Sequence, residues 1–244
     1  MTLASCPNVA AWQMVSSSDW PENQASLARG FAKASAAGVK LLVLPENAAV
    51  FGAGAQLTLA ANGDAMMAWL SAQAAEHQLT LVAGTLPLAY RPDGTAVSDG
   101  RVRSAALVWG PSGELLGRYD KRHLFDVDVA DAQGRYQESA TYEPGDQVAV
   151  IDPPLGNLGI LTCYDLRFPV WSRNRFDYES QKLNYDVLVY VANWPQIRIN
   201  AWDTLLRARA IENLSYVVGV NRVGMDDDGM EYNGSSAIIG PKGD

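Results

Sequence analysis

Apolar positions along the chain recur at two periods, and the switches between them mark out the elements. Val9–Val15 reads as a first strand. Asp19 and Pro21 then mark a helix start, Leu27, Phe31 and Ala34 fall on one face at spacings of four and three, and Gly38 closes the helix. Val39–Leu44 is a short, mostly apolar run between Gly38 and Pro45, the pattern of a strand buried on both faces, and Glu46 lies at its end. Asp64 is expected to cap a second helix with Met67, Leu70 and Ala74 on one side, and Leu79–Ala83 follows as a strand.

Further along, Ser104–Trp109 and Glu114–Tyr119 flank Pro111-Ser112-Gly113 and predict a hairpin. Val148–Ile151 and Leu158–Thr162 flank a turn at Pro153–Gly156, and the second strand runs straight into Cys163. Tyr185–Ala192 is strand-like, Ala201–Asn213 helical, and Tyr216–Val220 and Ser236–Ile239 are strands, with Pro241-Lys242-Gly243 opening a further turn. Strands and helices mixed in this way imply an α/β layered fold, a sheet sandwich covered by helices.

Composition removes several alternatives. At 244 residues the chain is long enough to bury roughly 70–75% of its unfolded surface without staples. Nineteen basic against 27 acidic residues leave a net charge of −8 with no basic run, so neither nucleic acid nor an anionic membrane is an expected partner. No apolar stretch reaches the ~20 residues of a membrane span. Met1–Ser5 lacks the basic region of a signal peptide, which points to the cytoplasm. Two cysteines, Cys6 and Cys163, make no disulfide framework. His77 and His123 are the only histidines, and neither His-Glu-x-x-His nor Cys-x-x-Cys occurs, so no metal is expected. A Walker loop, a dinucleotide-binding glycine motif and a Gly-x-Ser-x-Gly elbow are all missing, and no cofactor is expected.

Four segments carry candidate chemistry: Leu44–Asn47, Tyr119–His123, Gln137–Ser139 and Leu161–Pro169. Cys163 falls between a strand and an expected helix, where backbone N–H groups favour a thiolate; the alternative is a buried structural cysteine. Glu46 at a strand end is either a desolvated general base or a solvated loop residue. Lys121 is either a surface lysine or an anion-stabilising one. His123, two residues from Lys121, is either a rival base or a residue that orders the loop.

Taken together, these segments resemble the nitrilase superfamily of carbon–nitrogen hydrolases. Ala192-Asn193-Trp194-Pro195 and Arg207–Asn213 extend the resemblance, which runs from about Val9 to Gly243. It implies a four-layer α-β-β-α sandwich in a single domain over residues 1–244, paired into a homodimer or larger. It also implies that Glu46 is the general base, Lys121 the oxyanion-stabilising lysine, Cys163 the nucleophile, and Glu138 a second glutamate beside them. The backbone N–H of Tyr164 would be the other oxyanion donor, and Tyr164, Asn193 and Trp194 are expected to contact the substrate. The family pattern continues past Gly243, so a C-terminal part is expected to be missing. The front half, with Asp126-Val127-Asp128-Val129 and Gln137–Ser139, looks like the deaminated glutathione amidase branch; the back half, with Trp202–Leu206, looks like the ω-amidase branch.

Arg167 lies four residues after Cys163, and in a helix the two would share a face. Its guanidinium would then capture a carboxylate at the far end of the substrate; the alternative is an internal ion pair with Asp165 or another acidic residue. The expected activity is hydrolysis of a small carboxylate-bearing amide, with deaminated glutathione, a nitrile or an N-carbamoyl compound as alternative substrates.

Overall fold

The structure is a computed structural model that describes residues 8–52, 54–60, 62–128 and 135–244. Met1–Ser5, Cys6 and Val129 lie outside that set. Five strands form the first sheet in the order β1 (Val9–Ala11), β2 (Leu41–Val43), β3 (Thr80–Leu88), β4 (Arg103–Trp109) and β5 (Leu115–Asp120). The first three run parallel and the last two antiparallel. Helix α1 (Trp20–Ala36) crosses from β1 to β2, and α2 (Ala55–Ala60) and α3 (Gly63–His77) from β2 to β3. A ribbon of β6 (Asp126–Asp128) and β7 (Arg135–Gln137) follows, then β8 (Ala149–Ile151) and β9 (Leu158–Thr162). After a second ribbon, β10 (Phe176–Asp177) with β11 (Lys182–Leu183), come β12 (Val187–Ala192), α4 (Ile199–Asn213) and β13 (Tyr216–Asn221). The ribbon of β14 (Val223–Met225) and β15 (Glu231–Asn233) precedes β16 (Ala237–Ile239). The second five-stranded sheet has the order β16-β13-β12-β9-β8, again with three parallel strands at its centre.

The period of two explains the layers. Leu41 and Val43 join Leu158, Ile160 and Val189 between the sheets, while Leu42 and Leu44 join Leu27, Phe31 and Leu70 beneath α1 and α3. Ala106 and Val108 against Ala105 and Leu107 repeat that division on β4. On the other side Trp202 and Leu206 of α4 lie against Gly219 of β13, so closely that a Cβ there would strike them. The result is helix, sheet, sheet, helix, the sandwich expected from the sequence.

Differences are local. The first strand ends at Ala11, because the Met14 carbonyl accepts from Val223 instead of extending the ladder. Asn62, not Asp64, precedes α3; Asp64 sits inside the first turn, and Met66 takes the buried place expected of Met67. The short α2 was not expected. Cys163 opens a five-residue 3₁₀ helix, Cys163–Arg167, in place of an α-helix. No described helix is long and apolar enough to cross a membrane.

Candidate active site

Glu46 is set by what lies under the loop after β2. Leu44 still bonds to the Val82 carbonyl at 2.9 Å. At Gly84 the backbone has φ +70°, and a Cβ would overlap the Pro45 carbonyl. Only glycine meets both demands, so it lets the Pro45–Glu46 turn settle onto β3. Asn47, itself at φ 53°, donates its N–H to Thr85 Oγ1 at 3.0 Å and accepts from that hydroxyl at 3.1 Å. Glu46 is thereby held rigidly and 2% exposed.

Lys121 follows β5 and is 1% exposed. Its N–H donates to Ser104, and its carbonyl accepts from Gly145, both at 2.9 Å. Its Nζ lies between two carboxylates, 2.9 Å from Glu46 Oε1 and 2.8 Å from Glu138 Oε1. The remaining oxygens are also occupied: Glu46 Oε2 accepts from Asn193 N at 2.8 Å, and Glu138 Oε2 from Phe125 N at 2.7 Å. One cavity of about 310 Å³ is lined by Glu46, Lys121, Glu138 and Cys163 together.

The nucleophile candidate sits at φ 46°, a left-handed backbone that a non-glycine residue holds only under constraint. The constraint is Asp165, fully buried two residues on. It accepts from Tyr119 Oη at 2.7 Å and from the Thr162 and His123 N–H groups at 3.0 Å each. This ties the Cys163 turn to the end of β5 that carries Lys121. Cys163 Sγ lies 3.9 Å from the Asn193 carbonyl.

Burial favours a neutral thiol, in place of the thiolate expected from a helix N-terminus. Burial pushes Cys163 well above the ordinary thiol value and Glu46 adds to it, against the pull of Lys121. Burial also raises Glu46, while Lys121 works the other way. Burial alone would lower Lys121, but Glu138 and Glu46 overcome it and hold the ammonium charged. The site therefore pairs a protonated nucleophile with a carboxylate whose proton affinity exceeds that of a solvated one.

His123 serves the scaffold. Its Nδ1 is 2.7 Å from Asp165 Oδ1 and its ring stacks on Phe168 with centroids 3.6 Å apart. Arg167 lines the cavity, but not for the reason expected, since 3₁₀ geometry superposes positions three apart. Nor is it paired with Asp165, whose oxygens are taken. Its guanidinium lies 5.1 Å above the Trp194 ring and is exposed. Tyr164, Asn193 and Trp194 also line the cavity, and neither side-chain polar atom of Asn193 has a partner among the described residues. Tyr142 and Arg198 are among the lining residues that sequence reasoning missed. No periodicity or motif marks either one.

The carbon-nitrogen hydrolase family model matches residues 8–244. The omega-amidase YafV of Escherichia coli (strain K12) is 39% identical over 210 residues, 85% of this chain and 71% of that protein. A deaminated glutathione amidase of Yersinia enterocolitica is 33% identical over 221 residues, 89% of this chain and 73% of the relative. The crystal structure of XC1258 from Xanthomonas campestris, a CN-hydrolase superfamily protein with an arsenic adduct in its active site, superposes with a TM-score of 0.81 at 33% identity, covering 96% of this chain and 83% of that one. A match across nearly the whole chain, on a sandwich that gathers Glu46, Lys121 and Cys163 into one cavity, places this protein in the carbon–nitrogen hydrolase family.

Proposed function

We propose that the protein is a thiol-dependent amidase that hydrolyses a small carboxylate-bearing amide to acid and ammonia through a thioester on Cys163. The observation that carries this reading is the buried Glu46–Lys121–Glu138 cluster, bonded at 2.8–2.9 Å, sharing one cavity with the Cys163 thiol. Glu46 takes the thiol proton as sulfur attacks the amide carbon, and returns it to the departing nitrogen. Lys121 and the Tyr164 N–H hold the oxyanion, each such donor being worth about 2.7–4 kcal/mol of barrier. Glu138 fixes Lys121 from the other side. Water then enters, gives a proton to Glu46 and attacks the thioester.

Arg167 at the cavity wall suits a carboxylate at the far end of the substrate, which favours ω-amides of short dicarboxylates such as 2-oxoglutaramate or succinamate. The relatives named omega-amidase support that choice. The relative named deaminated glutathione amidase supports deaminated glutathione as the alternative. The reading includes a cytoplasmic enzyme that needs no cofactor and works as a homodimer or larger. An ammonia-release panel over ω-amides, deaminated glutathione, nitriles and N-carbamoyl compounds tests it: the ω-amides should lead. Turnover of nitriles alone would contradict it.

A further inference from the structure

Arg209 of α4 lies outside the cavity, and its side chain is only 4% exposed. A guanidinium keeps its charge inside a protein, so burial on this scale calls for partners. Nη1 donates to Glu212 Oε1 at 3.0 Å, one turn along the helix, and Nη2 donates to the Leu166 carbonyl at 2.6 Å. The end of α4 is itself locked. Asn213 Nδ2 donates to the Arg209 carbonyl at 3.0 Å, and Asn213 Oδ1 accepts from Asn174 N at 2.9 Å.

The bond to Leu166 answers a need written in the sequence. In the 3₁₀ turn Cys163–Arg167, each carbonyl looks for an N–H three residues on. The Asp165 carbonyl finds Phe168 N at 2.9 Å. The Leu166 carbonyl meets Pro169, which has no N–H, and Leu166 is fully buried. Arg209 supplies the missing donor from another element. That carbonyl shares one rigid peptide plane with the Arg167 nitrogen, so holding it fixes how Arg167 leaves the turn for its place above Trp194 at the cavity wall. The Cys163 end of the turn is held separately, by Asp165 with Tyr119, Thr162 and His123. We propose that Arg209 is a positioning residue for substrate choice: by holding the Leu166 carbonyl, it aims Arg167 at the far carboxylate of the substrate. The inference rests on the reading of Arg167 given above. Nucleophile and specificity cation thus sit on one short turn with a separate clamp at each end.

The test uses Arg209→Met and Arg209→Lys in the full chain, assayed on a carboxylate-bearing amide and on an uncharged amide of the same length. Arg209→Met should lower kcat/KM for the first about 3- to 10-fold, through KM more than kcat, and change the second by less than about two-fold. Arg209→Lys keeps a cationic donor and should show the same selective loss at a smaller size. Alkylation of Cys163 by iodoacetamide should keep its wild-type rate, because the Asp165 clamp is untouched. In an Arg167→Met background, Arg209→Met should no longer alter the ratio of the two substrates. A wild-type ratio in every Arg209 variant that folds would overturn the assignment, as would equal losses on both amides or an undiminished effect in the Arg167→Met background. Arg167→Met alone separates the two claims. If it leaves the ratio unchanged, the carboxylate reading fails and this inference falls with it; if it lowers the ratio while the Arg209 variants do not, only this inference fails.

Discussion

Lys121 touches two of the carboxylates that line the cavity, Glu46 and Glu138, and its charge decides how the thiol can react. Cys163 and Lys121 both have raised pKa values, so neither titrates near neutrality, and Glu46 alone supplies the acidic limb of activity. The limb should lie above the ordinary carboxylate value of 4.5, with kcat/KM rising with pH through it and no fall before about pH 9. The same shift has a stability consequence of opposite sense. A carboxyl raised in the folded state binds more protons there than when unfolded, so its contribution is complete below 4.5 and is lost as pH rises through the raised value. Glu46→Gln should flatten that part of a melting-temperature profile and abolish turnover. At the cavity wall, Arg167→Met should cut kcat/KM about 10- to 150-fold for carboxylate-bearing amides, the value of a charge-assisted hydrogen bond, and leave uncharged amides of the same length much less affected. Equal losses for both substrate types would make Arg167 a structural residue packed on Trp194.

At the scale of elements, the site depends on three short connections meeting above two sheets. Gly84→Ala tests the first. The substitution forces a Cβ into the Pro45 carbonyl at a left-handed φ, so stability should drop by about 1–3 kcal/mol and activity should fall further than the lost stability explains. Calorimetry and initial rates on the same preparation separate the two effects. The strands were legible in the sequence because both faces of β2 and β9 are buried, which leaves unbroken apolar runs such as Leu41–Leu44 and Leu158–Leu161. Their ends were less legible. Whether Met14 stays in the ladder depends on Val223, more than 200 positions away. Helix α2 is too short to show a period. Glu46, Lys121 and Cys163 were recognisable as residue types in a family pattern, but the neutral state of the thiol depends on burial beside Glu46, which no local pattern shows.

Across the whole molecule, a net charge of −8 disfavours the approach of an acidic substrate, which increases the value of cations at the cavity. Ile211, Leu214 and Tyr216, in α4 and the turn into β13, are exposed apolar residues consistent with the proposed pairing of two copies. Sedimentation at micromolar concentration should give a dimer or larger; a clean monomer would contradict that assembly. The most direct test of the central claim is intact-protein mass spectrometry of enzyme mixed with an ω-amide and quenched during turnover. A thioester mechanism predicts an added mass equal to the acyl group without its nitrogen, located on Cys163 and absent from Cys163→Ala, which should fold and lack activity. Full turnover by Cys163→Ala, with no adduct on the wild-type enzyme, would contradict it.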